Sequence, residues 1–317
     1  MHIGVVVPAY NAAAWVGDAI ASVLAQTHRD WSLVVVDDGS SDGTGETVAK
    51  VGDPRIRLIR QANAGVSAAR NRGIAELFGE TPSPQPPPAR GGGVVFLDAD
   101  DWLAPDALAR LNAALDAAPN AVAASGRCTF ADMGAARSPH SGDVLPFLLV
   151  RNLYANCGQL LLRAKAVEAA GGFLPGIVYG EDWEFCIRIA LQGPFASAPG
   201  KHPVLFVRRH DEGAYRRLAQ SPDAFAPCMN AIFSNSALVD RFGVRGLAAI
   251  RRCTEAENTW IVGREQVRHG HHARGLGLLR RSVRDQPTVR RAILLAAAHL
   301  VHLVPTSCRG PLRPYRA

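Results

Sequence analysis

A continuous apolar run, residues 94–97, ends in Asp98, Ala99, Asp100 and Asp101, so three carboxylates crowd the end of one segment. A run without alternation reads as a strand buried on both faces. Acids packed at its end repel each other and are costly to bury without a counter-charge. A divalent cation resolves that conflict. The other reading is a solvated turn ahead of the helix that starts near Pro105, because acids are also stabilised at a helix N-terminus. A second apolar run, residues 33–36, ends in Asp37 and Asp38. A third acidic point, Glu181 with Asp182, follows Gly180 and opens a helical pattern.

Strand and helix signals alternate around these acids. Residues 3–10 read as a buried strand, and 12–26 as a helix with Trp15, Ile20, Val23 and Leu24 on one face. Strands at 31–39, 55–61 and 94–98 then alternate with a helix opening after the capping-rich 40–44 and another over 64–77. A helix over 105–118, a strand near 121–125 and a less regular stretch to about 155 follow. Next come a strand over 157–164, a short helix stopped by Gly171 and Gly172, and an amphipathic helix over 180–193. Residues 203–210 close the sheet, and from Tyr215 the pattern is almost wholly helical. Alternation of this kind predicts a mostly parallel sheet with helices on both faces. Ligands of such sheets bind beyond the carboxyl ends of the strands, so the acid-ended strands face one crevice. Residues 79–93 hold five prolines and four glycines and read as an exposed insertion. The expected division is a domain over 1–210 and a helical region over 211–317.

The 317 residues, 48% hydrophobic, suffice for one large α/β domain and an appendage. Six cysteines show no metal-finger spacing, which fits reduced thiols in a cytoplasmic protein. Neither a signal peptide nor the roughly 20 apolar residues of a membrane span is expected. Charge is uneven: residues 264–317 carry +9, while the rest sum to about −2. An anionic partner is therefore sought at the C-terminal end. There, residues 290–304 form an apolar stretch behind two arginines, suited either to lie on an anionic membrane surface or to be buried in a helical bundle.

The segments VVVPAYN (5–11), VVVDDGSSDGT (34–44), NAGVSAARNRG (63–73), FLDADD (96–101) and GGF…GEDWEF (171–185) occur in this order. On these segments the chain resembles the family 2 glycosyltransferases over roughly residues 1–210. The resemblance implies a glycosyltransferase A-type fold, a Rossmann-like and mostly parallel sheet, with a helical C-terminal extension. It also implies a nucleotide-sugar donor, UDP by default, and a divalent cation, Mn²⁺ or Mg²⁺, with inversion at the transferred sugar. By the same resemblance Asp100 binds the metal, and Asp98 faces the donor ribose or helps hold the ion. Ala99 lies between them on the donor side. Asp101 is a supporting or helix-capping acid. Asp38 accepts from the base, against an Asx turn with Gly39 as the alternative. Pro8, Ala9 and Tyr10 wall the base, and Gly65 and Arg70 meet the donor, although a helical arginine ordinarily ends in a surface salt bridge. Asp182 is the expected base and Glu181 its support, and Trp183 is either an acceptor platform or a core tryptophan. His210 is a metal or diphosphate ligand in some relatives; plain exposure is the alternative. The implied acceptor is a saccharide or a lipid-linked one, in surface polysaccharide or glycolipid assembly, with peripheral membrane contact through the basic end and no nucleic-acid partner. The proline-rich insertion departs from the family without touching a motif. A nucleotidyltransferase would carry a glycine-rich basic loop after the first strand, which VVVPAYNAAAW lacks. A sugar-nucleotide-binding or scaffold protein without activity is the remaining alternative.

Overall fold

The computed structural model describes residues 1–79, 92–130, 136–208 and 223–303. His210 and most of the proline-rich insertion lie outside the described residues. The chain divides into two compact units, Met1–Leu148 with Asn152–Arg209, and Leu149–Arg151 with His210–Ala317.

The first unit is built on a seven-stranded sheet. Its strands are β1 (Ile3–Ala9), β2 (Trp31–Asp37), β3 (Ile56–Arg60), β4 (Gly93–Phe96), β6 (Ala123–Ser125), β9 (Leu160–Arg163) and β10 (Phe195–Ser197). They lie in the order β10-β6-β9-β4-β1-β2-β3. Only β9 runs antiparallel to its neighbours, β4 and β6. Helices α1 (Val16–Leu24), α2 (Thr44–Ala49), α3 (Val66–Phe78), α4 (Ala107–Ala117), α5 (Leu145–Val150), α6 (Ala164–Ala170) and α7 (Glu181–Ala190) connect them. The expected fold class, a mostly parallel sheet flanked by helices with a helical C-terminal region, is what the structure shows.

Strand chemistry follows position in the sheet. All seven residues of β1 are buried, and Val6 pairs with Val34 on one side and Phe96 on the other. The alternating β3 sits at the edge and is only partly covered. Helix α3 reaches β1 closely because Gly73 faces Val6, where an added Cβ would lie 2.4 Å from a Val6 methyl.

Two local expectations are corrected. Residues 203–210 do not close the main sheet: β11 (Leu205–Val207) belongs to a small second sheet ordered β5-β11-β7-β8, with β5 (Trp102–Leu103), β7 (Cys128–Phe130) and β8 (Ala136–Arg137). Strand β5 is two residues long and immediately follows the acids, too short to leave a periodic signal. Helix α1 starts at Val16, not residue 12. The amides of Asn11, Ala12 and Ala13 are taken instead by Ser40 Oγ (2.9 Å), Thr44 Oγ1 (2.8 Å) and Asp42 Oδ2 (2.9 Å), which hold that segment as a turn.

The second unit is helical: α8 (Ala226–Phe233), α9 (Ser236–Arg268, broken at Gly243), α10 (His272–Asp285) and α11 (Val289–Leu303). Trp260, Leu276 and Leu279 form its buried centre. Helices α9 and α10 approach through Gly263 and Gly275, where a Cβ on Gly275 would lie 2.7 Å from the Gly263 carbonyl oxygen.

Gly73→Ala tests the α3–β1 contact. Alanine normally favours a helix over glycine by about 1 kcal/mol. Here its methyl meets the stiff Val6 side chain, and overpacking of this kind costs about 1–3 kcal/mol. A lower melting temperature is expected; a rise would show that the two elements separate readily.

Candidate active site

The crevice lies at the carboxyl ends of β1, β2 and β4. On its β1–β2 side two loops are laced together: besides the three amides above, the Ser41 N–H donates to Asn11 Oδ1 at 2.9 Å. Asn11 adopts a positive φ of 48° to allow this. Asp38 is buried. Its Oδ1 accepts from Gln61 Nε2 (2.8 Å) and the Ala64 amide (2.9 Å), and its Oδ2 from the Gly65 amide (2.8 Å). The Asx turn is made by its neighbour, since the Ser40 N–H donates to Asp37 Oδ1 at 3.0 Å. Two carboxylate oxygens offer about four acceptor sites, and the described residues fill three of them. Pro8 and Ala9 are buried within β1, and Tyr10 is 55% exposed at the rim. Gly65, exposed at the α3 N-terminus, has φ +88°.

Next along the sheet is the acidic turn after β4. Asp98 and Asp100 are partly exposed, while Ala99 and Asp101 are buried. Asp101 Oδ2 accepts from Asn156 Nδ2 at 2.6 Å and its Oδ1 from the Arg208 amide at 2.9 Å. Burial and the nearby charges of Asp98 and Asp100 push its carboxyl up to about 8. Arg208 also donates from Nε to the Asp100 carbonyl (3.1 Å) and from Nη2 to Asp18 (2.6 Å). Its guanidinium lies 4.6 Å from the Trp15 ring centre and 5.0 Å from that of Trp102. This turn fits a divalent cation by its chemistry: only oxygen ligands, with more negative charge than the buried part tolerates. Among the described residues no three His, Cys, Asp or Glu side chains converge to enclose an ion. Asp98 and Asp100 are the partly exposed carboxylates of this turn that could hold such an ion.

Arg70 joins this turn to the third acidic point. It is 3% exposed, and its Nη2 donates to Asp98 at 2.8 Å while Nη1 donates to Glu181 at 2.9 Å. Its guanidinium lies 5.0 Å from the Phe173 ring centre, and Phe173 stacks on Phe185 at 4.1 Å and meets Phe96 edge-on at 4.9 Å. Asn71 fixes Phe173 from both sides, donating to its carbonyl (2.8 Å) and accepting from its amide (2.7 Å). The preceding Gly172 has φ +79°, and a Cβ there would lie 2.6 Å from Asn71 Oδ1. The NAGVSAARNRG, FLDADD, GGF and GEDWEF segments thus meet around one buried guanidinium.

Helix α7 starts after Gly180, whose φ of +81° turns the chain into it. Asp182 Oδ1 accepts its neighbour Trp183's amide at 2.7 Å. Burial pushes its carboxyl up to about 7, assisted by Glu181 and Asp98 and opposed by Arg70. A carboxyl near neutrality in a cleft suits proton transfer.

Trp183 is not an exposed platform. It is 1% exposed and donates from Nε1 to the Leu148 carbonyl at 2.7 Å. Its position on α7 explains this, since Cys186, Ile187 and Ala190 continue the same buried face. Nor is Arg70 in a surface salt bridge. Asn71, Phe173, Asn156 and Arg208 were not singled out from sequence, although the first two lie inside motifs that were.

The protein-family model described as Glycosyl transferase family 2 matches residues 4–163. Among curated proteins, the chain is 36% identical over 104 residues to the UDP-Glc:alpha-D-GlcNAc-diphosphoundecaprenol beta-1,3-glucosyltransferase WfgD of Escherichia coli, covering 32% of this chain and 36% of that protein. Across the curated relatives compared, the matched segment spans 14–36% of their length. Among solved structures, S. aureus TarS 1–349 in complex with UDP-GlcNAc superimposes with a TM-score of 0.59 at 16% identity, covering 95% of this chain and 88% of that one. The mannosyltransferase PcManGT from Pyrobaculum calidifontis, in complex with GDP-Man and Mn²⁺, gives 0.58 at 20% identity, covering 96% and 81%. At these identities the structural likeness concerns the fold. The family model, by contrast, matches half of the chain and spans the Asp38 loop, α3 with Arg70, and the acidic turn. On that match the chain belongs to glycosyl transferase family 2.

Proposed function

We propose that the protein moves a sugar from a nucleoside diphosphate, UDP by preference, to a saccharide or lipid-linked acceptor with inversion at the anomeric carbon. The observation that carries this reading is that Arg70 bridges Asp98 in the acidic turn to Glu181, the neighbour of Asp182. Arg70 sits on α3, and the residues leading into that helix, Ala64 and Gly65, are held by Asp38. WfgD is named for a UDP-glucose donor and a lipid-linked acceptor, and TarS is solved with UDP-GlcNAc, which supports the choice of donor and acceptor class. The reading extends to surface polysaccharide or glycolipid assembly at the cytoplasmic face of the membrane.

In this mechanism Asp182 accepts the acceptor hydroxyl's proton as that oxygen bonds to the anomeric carbon. The bond from that carbon to the phosphate oxygen breaks, and the nucleoside diphosphate leaves with its electrons. Single displacement inverts the centre. Glu181, held by Arg70, lies beside Asp182 and raises the basicity of that carboxyl. A divalent cation bound by Asp100, with Asp98, would stabilise the charge of the departing diphosphate. The Mn²⁺ in PcManGT supports that assignment.

A transfer assay with UDP-sugars and analysis of product configuration tests the reading. Donor binding without transfer to any acceptor would favour the inactive sugar-nucleotide-binding alternative.

Asp182→Asn keeps the shape and the Trp183 amide contact but cannot take a proton. Transfer should fall about 10²–10⁴-fold with UDP affinity and melting temperature close to wild type. Near-normal transfer would remove Asp182 from the mechanism.

The ionised form of Asp182 is the active one, so kcat/KM should rise with pH and level off above about 7. Below that point it should fall by nearly tenfold per pH unit. An acid limb lying near 4 instead would show that the carboxyl is not raised in the working enzyme.

Asp100→Ala should reduce UDP affinity measured with Mn²⁺ to the level seen without it, leaving the fold intact. Unchanged Mn²⁺-dependent binding would reassign the metal ligand.

A further inference from the structure

Helices α10 and α11 present a surface that the transferase reading does not use. Helix α10 turns Leu276, Leu279 and Ser282 inward and exposes Arg274, Arg281 and Arg284. The last two lie 3.5 Å from Asp285, the sole acid of the helix, so cationic charge remains in excess there. Three residues later, α11 sends Arg291 inward to an ion pair with Glu257 and leaves Arg290 exposed. Its outer side is apolar: Val289 is 79% and Ile293 62% exposed, one turn apart, with Ala292 and Ala296 on the same side. Arginines and bare aliphatic side chains thus share a stretch of thirteen residues, 281–293.

We propose that this surface docks on an anionic lipid bilayer. Val289 and Ile293 would enter the boundary between headgroups and acyl chains, and Arg281, Arg284 and Arg290 would meet lipid phosphates. Charge selects the occupant. Residues 264–317 carry +9, so a second copy would set like charges against each other, and so would the chain's own end, with Arg309, Arg313 and Arg316. A nucleic acid would satisfy the arginines but has no use for exposed valine and isoleucine, and Trp260, the aromatic group of this unit's core, is buried. An anionic bilayer satisfies both features. No helix among the described residues is long and apolar enough to cross a membrane. This inference deepens the membrane-facing part of the proposed function. It is independent of the transfer chemistry.

The test is co-sedimentation of the full chain with vesicles of phosphatidylcholine alone, or with one third phosphatidylglycerol. The mixed vesicles should bind at least about tenfold more tightly. Arg281→Glu with Arg284→Glu and Arg290→Glu should lower that affinity on the order of 100-fold. Val289→Asp with Ile293→Asp should lower it about tenfold or more at unchanged melting temperature. If the aspartates disturb folding, Val289→Ser with Ile293→Ser should still weaken binding. Equal binding to both vesicle types, or full binding by the aliphatic variants, overturns the proposal. Tight duplex DNA binding without vesicle binding overturns it too, as does a dimer abolished by Ile293→Asp in a protein that ignores vesicles. Donor binding measured in parallel separates failure of docking from failure of the transferase reading.

Discussion

One buried guanidinium sets the geometry of the crevice. A charge taken out of water is costly, and Arg70 is tolerable inside the first unit because Asp98 and Glu181 each accept from one of its terminal nitrogens. Removing one partner of such a buried pair typically costs about 3–5 kcal/mol, because the other charge is left uncompensated. The end of β4 and the start of α7 are therefore held at a fixed separation by the same side chain. Phe173 lies against the guanidinium and packs on Phe96 and Phe185, and Asn71 holds its backbone in place.

Acids still outnumber that cation. Asp101 and Asp182 hold protons in the folded chain well above the ordinary carboxylate range, at about 8 and about 7. The folded state thus keeps protons that the unfolded chain has already released above about pH 4. Their contribution runs opposite to that of a salt-bridged acid: stability falls as pH rises from about 4 and stops falling above about 8. Protons are small cations, and they occupy a place that positive charge of another kind would also relieve. The crevice is electrostatically incomplete by construction, which is a reasonable state for a site that receives a cation together with its ligand.

Much of this was legible in residue order. Continuous valine runs mark the central strands because both their faces are covered, and the 55–61 segment, expected as a strand, is the partly covered edge strand β3. Acids at strand ends located the crevice. What stayed hidden depended on contacts distant in sequence. Arg70 meets Asp98 28 positions later and Glu181 111 positions later, and no local pattern separates it from a surface arginine. For Trp183 the core alternative holds: its helical spacing with Cys186, Ile187 and Ala190 marks a buried face. The small second sheet escaped because strands of two or three residues carry no period.

Asp38 holds two attachments at once. Its carboxylate ties the end of β2 to the backbone that starts α3, and the same group stands at the rim where a nucleotide base would sit. A substitution that changed which base is accepted would also release the amides of Ala64 and Gly65, and with them the helix that delivers Arg70. Under the proposed function, variation in donor preference falls to exposed positions such as Tyr10, while position 38 is held by its backbone contacts.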